Sequence, residues 1–302
     1  MTSSTFSSWL LAARLRTLPL ACSSVLLGSG LAAHQGSFRL GVFALCLLTA
    51  ILLQVLSNFA NDYGDAVSGA DNAGRVGPTR AVVSGLISRQ QMRAGMLGVG
   101  LAAVASGLGL LWLSFADNWR AMLVFILFGA LALVAAVTYT VGRRPYGYVG
   151  LGDLSVFLFF GLLGVMGTHY LFSHQLQASL LLPAASCGLL ATAVLNINNL
   201  RDRLTDAAAG KQTLAVRLGA RWGRRYHWLL VGGAGLLLVL FLLGRDDGLW
   251  PWLFVPGYLP LLQAAYVVQR SEDPQVLNGQ LKRTALGSLV CNLLLALGFV
   301  LA

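Results

Sequence analysis

Apolar residues in this chain gather into nine long stretches, and polar residues collect mainly in the segments between them. Each stretch holds about 17 to 25 residues, the length that an α-helix needs to cross roughly 30 Å of hydrocarbon. The pattern predicts an all-α integral membrane protein with about nine transmembrane helices and a single domain over residues 1–302. The predicted spans are 17–34, 40–60, 94–114, 121–141, 154–172, 178–200, 226–244, 250–269 and 284–301.

Composition agrees with a chain dissolved in lipid. Hydrophobic residues make up 57% of the 302 residues and charged residues only 11%, and the mean hydropathy is +0.72. A soluble protein carries about 25% charged residues to cover its surface, so the soluble globular class is excluded. The four cysteines are dispersed in apolar stretches, a pattern that indicates neither a disulfide framework nor a zinc site.

The net charge of +10 could point to nucleic acid or to membrane orientation. Of the 21 Lys and Arg residues, all but Arg39, Arg120 and Arg245 fall on the face that carries the N-terminus and the two long connections. Basic residues concentrate in cytoplasmic loops. We therefore expect a cytoplasmic N-terminus and no nucleic-acid partner. A cleaved signal peptide is the alternative for the first stretch, disfavoured because Arg14 and Arg16 lie late and the apolar run is long.

Five of the ten aspartates crowd into two windows, each after an even-numbered span. The first window runs from Asn58 to Asp71 and the second from Asn196 to Asp206, within the predicted motif loops 58–93 and 196–225. On a helix, spacings of three or four residues place side chains on one face. The residues so aligned are Asn58, Asp62 and Asp65, with the pair Asn61 and Asp65, in the first window, and Asn198, Asp202 and Asp206 in the second.

Stacked carboxylates repel one another and need a counter-ion near a membrane. The donors are all hard oxygens, which favours Mg²⁺, and Mg²⁺ commonly takes one or two carboxylates plus phosphate oxygens. Two short Asp motifs therefore suit a metal-bridged diphosphate. Basic residues that could meet the remaining phosphate charge lie just downstream: Arg75, Arg80, Lys211 and Arg217.

The alternative is that these carboxylates only cap helices and balance arginines. A repeat argues against it, because Asn61 and Asp65 recur 137 residues later as Asn198 and Asp202, with TRAVVSG and TLAVRLG following in similar positions. This duplication predicts two related bundles whose mouths face each other across one cavity.

Four motifs of this chain resemble the UbiA superfamily of intramembrane prenyltransferases, in particular its 1,4-dihydroxy-2-naphthoate polyprenyltransferase branch. These motifs are NDYGDAVSGAD, GPTRAVVSGLIS, TYTVGRRPYGYVGLGD and NINNLRDRLTDAAAGKQTLAVRLG. The resemblance runs from about Arg14 to the last span. It implies nine helices around a central cavity, a lateral opening for lipid, Mg²⁺ and a polyprenyl diphosphate donor. The metal and diphosphate positions carried over are Asn61, Asp65, Asp71, Asn198, Asp202 and Asp206, with Asn58 and Asp62 as supporting positions.

Two features depart from the broad family pattern. Asp71 lies six residues after Asp65 where four is common, and Tyr139 is followed by Arg143 where many members have lysine. Arginine can still bind a phosphate, and bidentately. We expect Tyr139 to face a carbocation with its ring or to serve as an interfacial tyrosine, and Asp153 to contact the acceptor hydroxyls or to cap a helix.

The resemblance implies transfer of a polyprenyl group to 1,4-dihydroxy-2-naphthoate with loss of CO₂ and diphosphate, in menaquinone synthesis, at the bacterial inner membrane with the site open to the cytoplasm. In this hypothesis Asp65, Asp202 and Tyr139 are catalytic. Transfer to another aromatic acceptor, such as 4-hydroxybenzoate, is the alternative within the enzyme class. A transporter is a further alternative, disfavoured because the charges cluster at helix ends and not at the midplane.

Overall fold

The computed structural model describes residues 5–69, 77 and 79–302. In these residues the chain forms twelve α-helices and one π-helical segment, and nine helical stretches are long and apolar enough to cross a membrane. The prediction of nine spans is confirmed for the described chain. The α-helices are α1 (Thr5–Ala13), α2 (Leu18–His34), α3 (Leu40–Ser68), α4 (Arg89–Phe115), α5 (Trp119–Thr138), α6 (Gly152–Val156), α7 (Thr168–Ser173), α8 (Leu181–Arg201), α9 (Arg203–Ala208), α10 (Leu214–Leu243), α11 (Phe254–Arg270) and α12 (Pro274–Leu301).

Local capping signals in the sequence fix several helix ends. Ser88 and Gln91 form a capping box at the start of α4, each side chain accepting a hydrogen bond from the other residue's backbone. Asn118 and Asp273 cap α5 and α12 with side-chain oxygens. Helix α3 ends at Gly69, whose φ of 72° lies in the left-handed region that glycine adopts without strain.

The fifth span is irregular, because the π-helical segment Phe157–Gly167 joins α6 to α7. The hydroxyl of Ser24 in α2 donates a hydrogen bond of 2.6 Å to the carbonyl of Phe160 in this segment. A methyl group added to Gly161 would lie 2.7 Å from the Cα of Gly188, so glycine allows the segment to press against α8. The π-helical segment is thus held in place by α2 on one side and α8 on the other.

The helices surround a central cavity. Helix α8 packs against α10, α12 and the π-helical segment, α2 packs against α12 and α3, and α3 packs against α4 and α5. The space that α2 to α5, the π-helical segment and α8 enclose has a volume of about 590 Å³. A central cavity was expected from the resemblance, and the fold provides it.

Several helices extend beyond the spans that the hydropathy pattern predicts, and two of these extensions, in α3 and α10, flank the polar motifs. Helix α3 continues to Ser68 rather than to residue 60, so the part of the first window from Asn58 to Asp65 lies in the helix and not in the connection predicted at 58–93. Helix α10 begins at Leu214 rather than at residue 226, and it bends at Gly219, whose φ is 74°. Both extensions carry charged side chains. Hydropathy marks where lipid ends, whereas a helix can continue into the polar layer.

Close packing of α2 on α12 generates a stability prediction. A methyl group on Gly30 would lie 2.5 Å from the Cβ of Ala296, whereas one on Gly98 in α4 would meet no atom within 4 Å. Small residues let membrane helices approach closely. We expect Gly30→Val to destabilise the protein by about 1–3 kcal/mol, as overpacking does, and Gly98→Val to leave the thermal unfolding midpoint in detergent near that of wild type. Equal midpoints for the two variants would contradict this packing.

Candidate functional site

Side chains of both sequence motifs meet at one mouth of the cavity. Asn61 and Asp65 project from the last turns of α3, Asn198 and Asp202 from the end of α8, and Asp206 from the short helix α9. All five residues line the cavity. The structure therefore brings together the two windows that lie 137 residues apart in the sequence.

Asp65 of the first motif accepts bonds on both of its carboxylate oxygens, and it is 3% exposed. Arg80 approaches Oδ2 at 2.8 Å, and Oδ1 accepts from the Tyr148 hydroxyl at 2.7 Å and from Lys211 Nζ at 2.9 Å. Three donors thus satisfy a carboxylate that burial alone would make costly.

Arg201 organises the second motif. Its guanidinium donates to both oxygens of Asp202, at 2.7 Å from Nε and 2.5 Å from Nη2. The same Nη2 lies 2.8 Å from Asn198 Oδ1, and Nη1 lies 2.9 Å from Asn278 Oδ1 in α12. Arg201 is only 4% exposed. This planar fork holds Asn198 and Asp202 side by side, which a lysine could not do.

Lys211 joins the two motifs. Besides Asp65, its ammonium lies 3.5 Å from Asp206 Oδ1, and it lies 4.6 Å above the Tyr148 ring. Burial raises the pKa of the Asp206 carboxyl to about 6, and the neighbouring carboxylates of Asp202 and Asp65 act in the same direction, while Lys211 opposes them. Asp206 is therefore poised to change charge near neutral pH unless a further cation binds it.

Asn58 and Asp62, the supporting positions of the first motif, bond to other parts of the protein. Asn58 donates to the carbonyl of Ala13 at 2.7 Å and to the Thr17 hydroxyl at 2.9 Å. The two oxygens of Asp62 accept from the backbone N–H groups of residues 81 and 82, at 3.0 and 3.2 Å. Asp62 is described but lies outside the cavity lining. Its contacts here are to the loop that carries Arg80, and its predicted metal role stays a prediction.

Three further described residues of the predicted site also lie outside the cavity lining. Arg143 is exposed in the turn after α5. Arg217 donates to the carbonyls of Gln212 and Val149, tying two connections together. Asp153 is buried at the start of α6, where its side chain lies beside the Tyr226 hydroxyl of α10 and its Oδ1 has no hydrogen-bond partner among the described residues. Asp71 and Arg75 fall outside the described residues, so the structure says nothing of them.

Tyr139 lines the cavity just below its polar mouth. Its ring is held between Gly147 and Gly152, where added methyl groups would come within 2.8 Å of the tyrosine side chain. The ring of Tyr146 meets it edge-on, with centroids 5.3 Å apart. Burial, and then the negative charge of Asp153, raise the pKa of Tyr139, so the phenol is neutral. A neutral, fixed ring presents its face or edge to the cavity without adding charge.

Sequence reasoning missed several residues of this mouth. Arg14 and Arg16 entered the sequence analysis only as signals of orientation, yet both line the cavity, and Arg16 reaches Asn278 Oδ1 at 3.3 Å. Tyr148 and Arg201 were likewise not singled out. Their position in the sequence was the available signal, because the predicted topology places each of them on the same side of the membrane as the two Asp windows. They lie in the segments RLRTLPL, RRPYGY and NNLRD.

The oxygen donors of the mouth fit Mg²⁺ in their chemistry. Asp65 and Asp206 already share one cation, the Lys211 ammonium. Among the described residues, no group of three His, Cys, Asp or Glu side chains surrounds a single point. An ion held here would take one or two carboxylates and complete its shell with phosphate oxygens or water, as Mg²⁺ commonly does.

Below the mouth the cavity is lined mainly by apolar side chains. Leu53, Leu108, Leu133 and Leu163 contribute from four different walls. The lining thus changes from charged to apolar with depth. A ligand with an anionic head and a long hydrocarbon tail matches this gradient.

Comparison with known proteins agrees with this geometry. The model of the UbiA prenyltransferase family matches residues 21–279. A 1,4-dihydroxy-2-naphthoate octaprenyltransferase of Escherichia coli (strain K12) is 48% identical over 98% of this chain and 96% of its own. A protein of the same description from Haemophilus influenzae is 47% identical, over 97% of this chain and 96% of its own.

Solved structures share the fold. A UbiA homolog from Aeropyrum pernix K1 superposes with a TM-score of 0.69 at 15% identity, over 93% of this chain and 97% of its own. A UbiA homolog from Archaeoglobus fulgidus, bound to DMAPP and Mg²⁺, has a TM-score of 0.56 at 14% identity, over 95% of this chain and 99% of its own. Together with the family match and the near-half identity to relatives along almost the whole chain, the fold leads to one conclusion: this chain belongs to the UbiA prenyltransferase family.

Proposed function

We propose that this protein transfers a polyprenyl group from polyprenyl diphosphate to 1,4-dihydroxy-2-naphthoate, with loss of diphosphate and CO₂, giving demethylmenaquinol, the reduced form of demethylmenaquinone. The single observation that carries the chemistry is the meeting of both Asp motifs over one apolar cavity, joined by Lys211. The acceptor is taken from the names of the relatives that share about half of the sequence. Membrane lipid surrounds the protein and delivers the donor.

The polar mouth binds the donor's head. Asp65, Asp202 and Asp206, helped by the amide oxygens of Asn61 and Asn198, would hold Mg²⁺, which supplies positive charge to a leaving diphosphate. Further positive charge comes from basic side chains that already line the mouth, where the low dielectric strengthens each attraction. These basic residues are Arg14, Arg16, Arg80 and Lys211.

The apolar wall controls the fate of the prenyl group once its bond to the diphosphate weakens. As the C1–O bond of the donor breaks, its electrons leave with the diphosphate, and a ring carbon of the acceptor forms the new bond to C1. The acceptor carboxyl leaves as CO₂, its bonding electrons passing to the ring. Water must be excluded, since it would capture the allylic cation as an alcohol. Tyr139 and Tyr146 line the zone between mouth and apolar cavity and could stabilise that cation with their rings.

The orientation is also part of the proposal. The distribution of basic residues supports a cytoplasmic N-terminus in a bacterial inner membrane. In the fold, Asn58 near the end of α3 bonds to Ala13 of the N-terminal segment, and Arg16 of that segment shares the Asn278 oxygen with Arg201 at the end of α8. These three parts of the chain therefore lie at the same mouth. The site would then open to the cytoplasm.

The acceptor can be tested with membranes that contain the protein. Membranes incubated with labelled polyprenyl diphosphate and a panel of aromatic acids should form a prenylated product from 1,4-dihydroxy-2-naphthoate, identified by mass spectrometry as lacking the carboxyl. Chelation of divalent ions should abolish the product and added Mg²⁺ should restore it. A product from 4-hydroxybenzoate alone would move the protein to the other aromatic acceptor, and full turnover under exhaustive chelation would exclude the metal.

The two-motif site predicts the effect of removing single charges. Asp65→Asn and Asp202→Asn should each lower turnover by about 100-fold or more, because an amide keeps the size but loses the charge that holds the metal and its basic partners. The double variant should be little worse than either single one, since groups that act as a unit are not additive. Product formed per folded enzyme is the measurement.

Asp246→Asn is the matched control, because Asp246 is exposed at the opposite end of α10. Its neighbour Asp247 is unsuitable, since it pairs with both His34 and Arg245 and ties the end of α2 to the connection after α10. Near-normal turnover in either Asp65→Asn or Asp202→Asn would refute the site, and a large loss in Asp246→Asn would show that the chemistry lies at the other face.

Orientation can be tested by labelling. Ala208 is exposed beside the mouth, whereas Asp246 is exposed across the membrane after α10. In sealed vesicles an impermeant thiol reagent should label Ala208→Cys only from the cytoplasmic side and Asp246→Cys only from the outer side, with wild type as the blank because three of its four cysteines are buried. The reverse pattern would overturn the proposed orientation.

A further inference from the structure

Lys211 occupies a distinctive place in the site. Its ammonium touches carboxylates of both motifs, at 2.9 Å from Asp65 and 3.5 Å from Asp206, and its side chain is 11% exposed. The Tyr148 ring covers it at 4.6 Å, and the Tyr148 hydroxyl bonds to the same oxygen of Asp65 as Lys211 does. A positive charge is thus already held between the two halves of the fold.

The charge balance at the mouth bears on how a metal could enter. Among the described residues that line the cavity, four are basic and three are acidic, which gives a formal net charge of +1. A divalent cation that binds alone would raise this to +3 in a partly buried site, and like charges there repel strongly. A diphosphate brings the compensating negative charge. The basic residues are Arg14, Arg16, Arg80 and Lys211, and the acidic ones are Asp65, Asp202 and Asp206.

We propose that Lys211 is a positioning residue that holds Asp65 and Asp206 together in the place of a metal until the donor's diphosphate arrives, so that diphosphate and metal bind cooperatively. This rests on the proposed function. When the diphosphate enters, Lys211 can transfer its hydrogen bonds from the carboxylates to phosphate oxygens, and the freed carboxylate oxygens then face the incoming cation.

The chemistry of lysine suits this exchange better than that of arginine. Lysine is a compact charge on a flexible stem with three rotatable donors, whereas a guanidinium binds in a rigid planar fork. Arg80 bonds to Oδ2 of Asp65, the oxygen that Lys211 does not contact. Arg201 bonds to both oxygens of Asp202. Those pairs would keep the carboxylates oriented while Lys211 moves.

Thermodynamic linkage makes the proposal measurable without turnover. If diphosphate relieves competition by Lys211, then diphosphate strengthens metal binding, and metal strengthens diphosphate binding by the same factor. Removing the Lys211 charge removes the competitor, so the metal alone should bind better. A lysine that merely bound phosphate would predict no gain in metal affinity when it is replaced.

The experiment measures Mn²⁺ binding to the purified full chain in detergent, by electron paramagnetic resonance of the free ion. Wild type should bind Mn²⁺ weakly alone and at least about tenfold more tightly with inorganic diphosphate, after correction for the Mn²⁺–diphosphate complex in solution. Lys211→Met should bind Mn²⁺ alone at least about tenfold more tightly than wild type and show a smaller gain with diphosphate. Lys211→Arg, which keeps the charge, should stay weak.

Lys282→Met is the matched control, because it removes the one other lysine of the chain, which is exposed on α12. It should bind Mn²⁺ as wild type does. Unchanged or weaker Mn²⁺ binding in folded Lys211→Met would overturn the proposal, and if that variant does not fold, absence of the diphosphate effect in wild type would overturn it. The acceptor assay on wild type is independent of this measurement. If wild type forms the product but Lys211→Met binds Mn²⁺ as wild type does, only the role of Lys211 is refuted. If wild type forms no product, the proposed function is refuted.

Discussion

The structure depends on keeping carboxylates at the edge of a membrane, where burial penalises their charge. Asp65 is satisfied by Arg80, Lys211 and the Tyr148 hydroxyl, and Asp202 by Arg201. Each partner comes from a different connection or helix end. One of the bonds that neutralise Asp65, the bond from Lys211, also joins the two motif regions at the mouth across 146 residues of sequence.

Irregular helix geometry serves the cavity beneath this mouth. The π-helical segment is bonded through Phe160 to Ser24 and packed through Gly161 onto α8, which fixes a wide helix in one wall. The turn after α5 wraps Tyr139 between two glycines. The charged mouth and the apolar space below are thus built from rigid elements, so a donor's head and tail can be bound in one fixed relation, as positioning requires.

The nine spans, the central cavity and the meeting of both Asp windows could be predicted from the sequence, because lipid imposes a length on each helix and the motif spacing of four places side chains on one helix face. The partners of those acids could not. Arg14 and Arg201 look like orientation signals in the sequence, yet Arg14 lines the cavity and Arg201 bonds to Asp202. Arg217 lies near the second motif in sequence but donates to backbone carbonyls, and Asp153 is buried beside Tyr226. Side-chain direction depends on helix ends such as Gly69 and on bends such as Gly219, which hydropathy does not reveal.

Whether both motifs share one site can be decided by an experimental structure with Mg²⁺ and a non-reacting polyprenyl diphosphate analogue. We expect metal–oxygen distances of about 2.0–2.1 Å, as is usual for Mg²⁺, to Asp65 and to at least one of Asp202 and Asp206, with diphosphate oxygens completing the shell and the tail in the apolar cavity. Metal ligated by a single motif, or a diphosphate bound away from this mouth, would contradict a shared site.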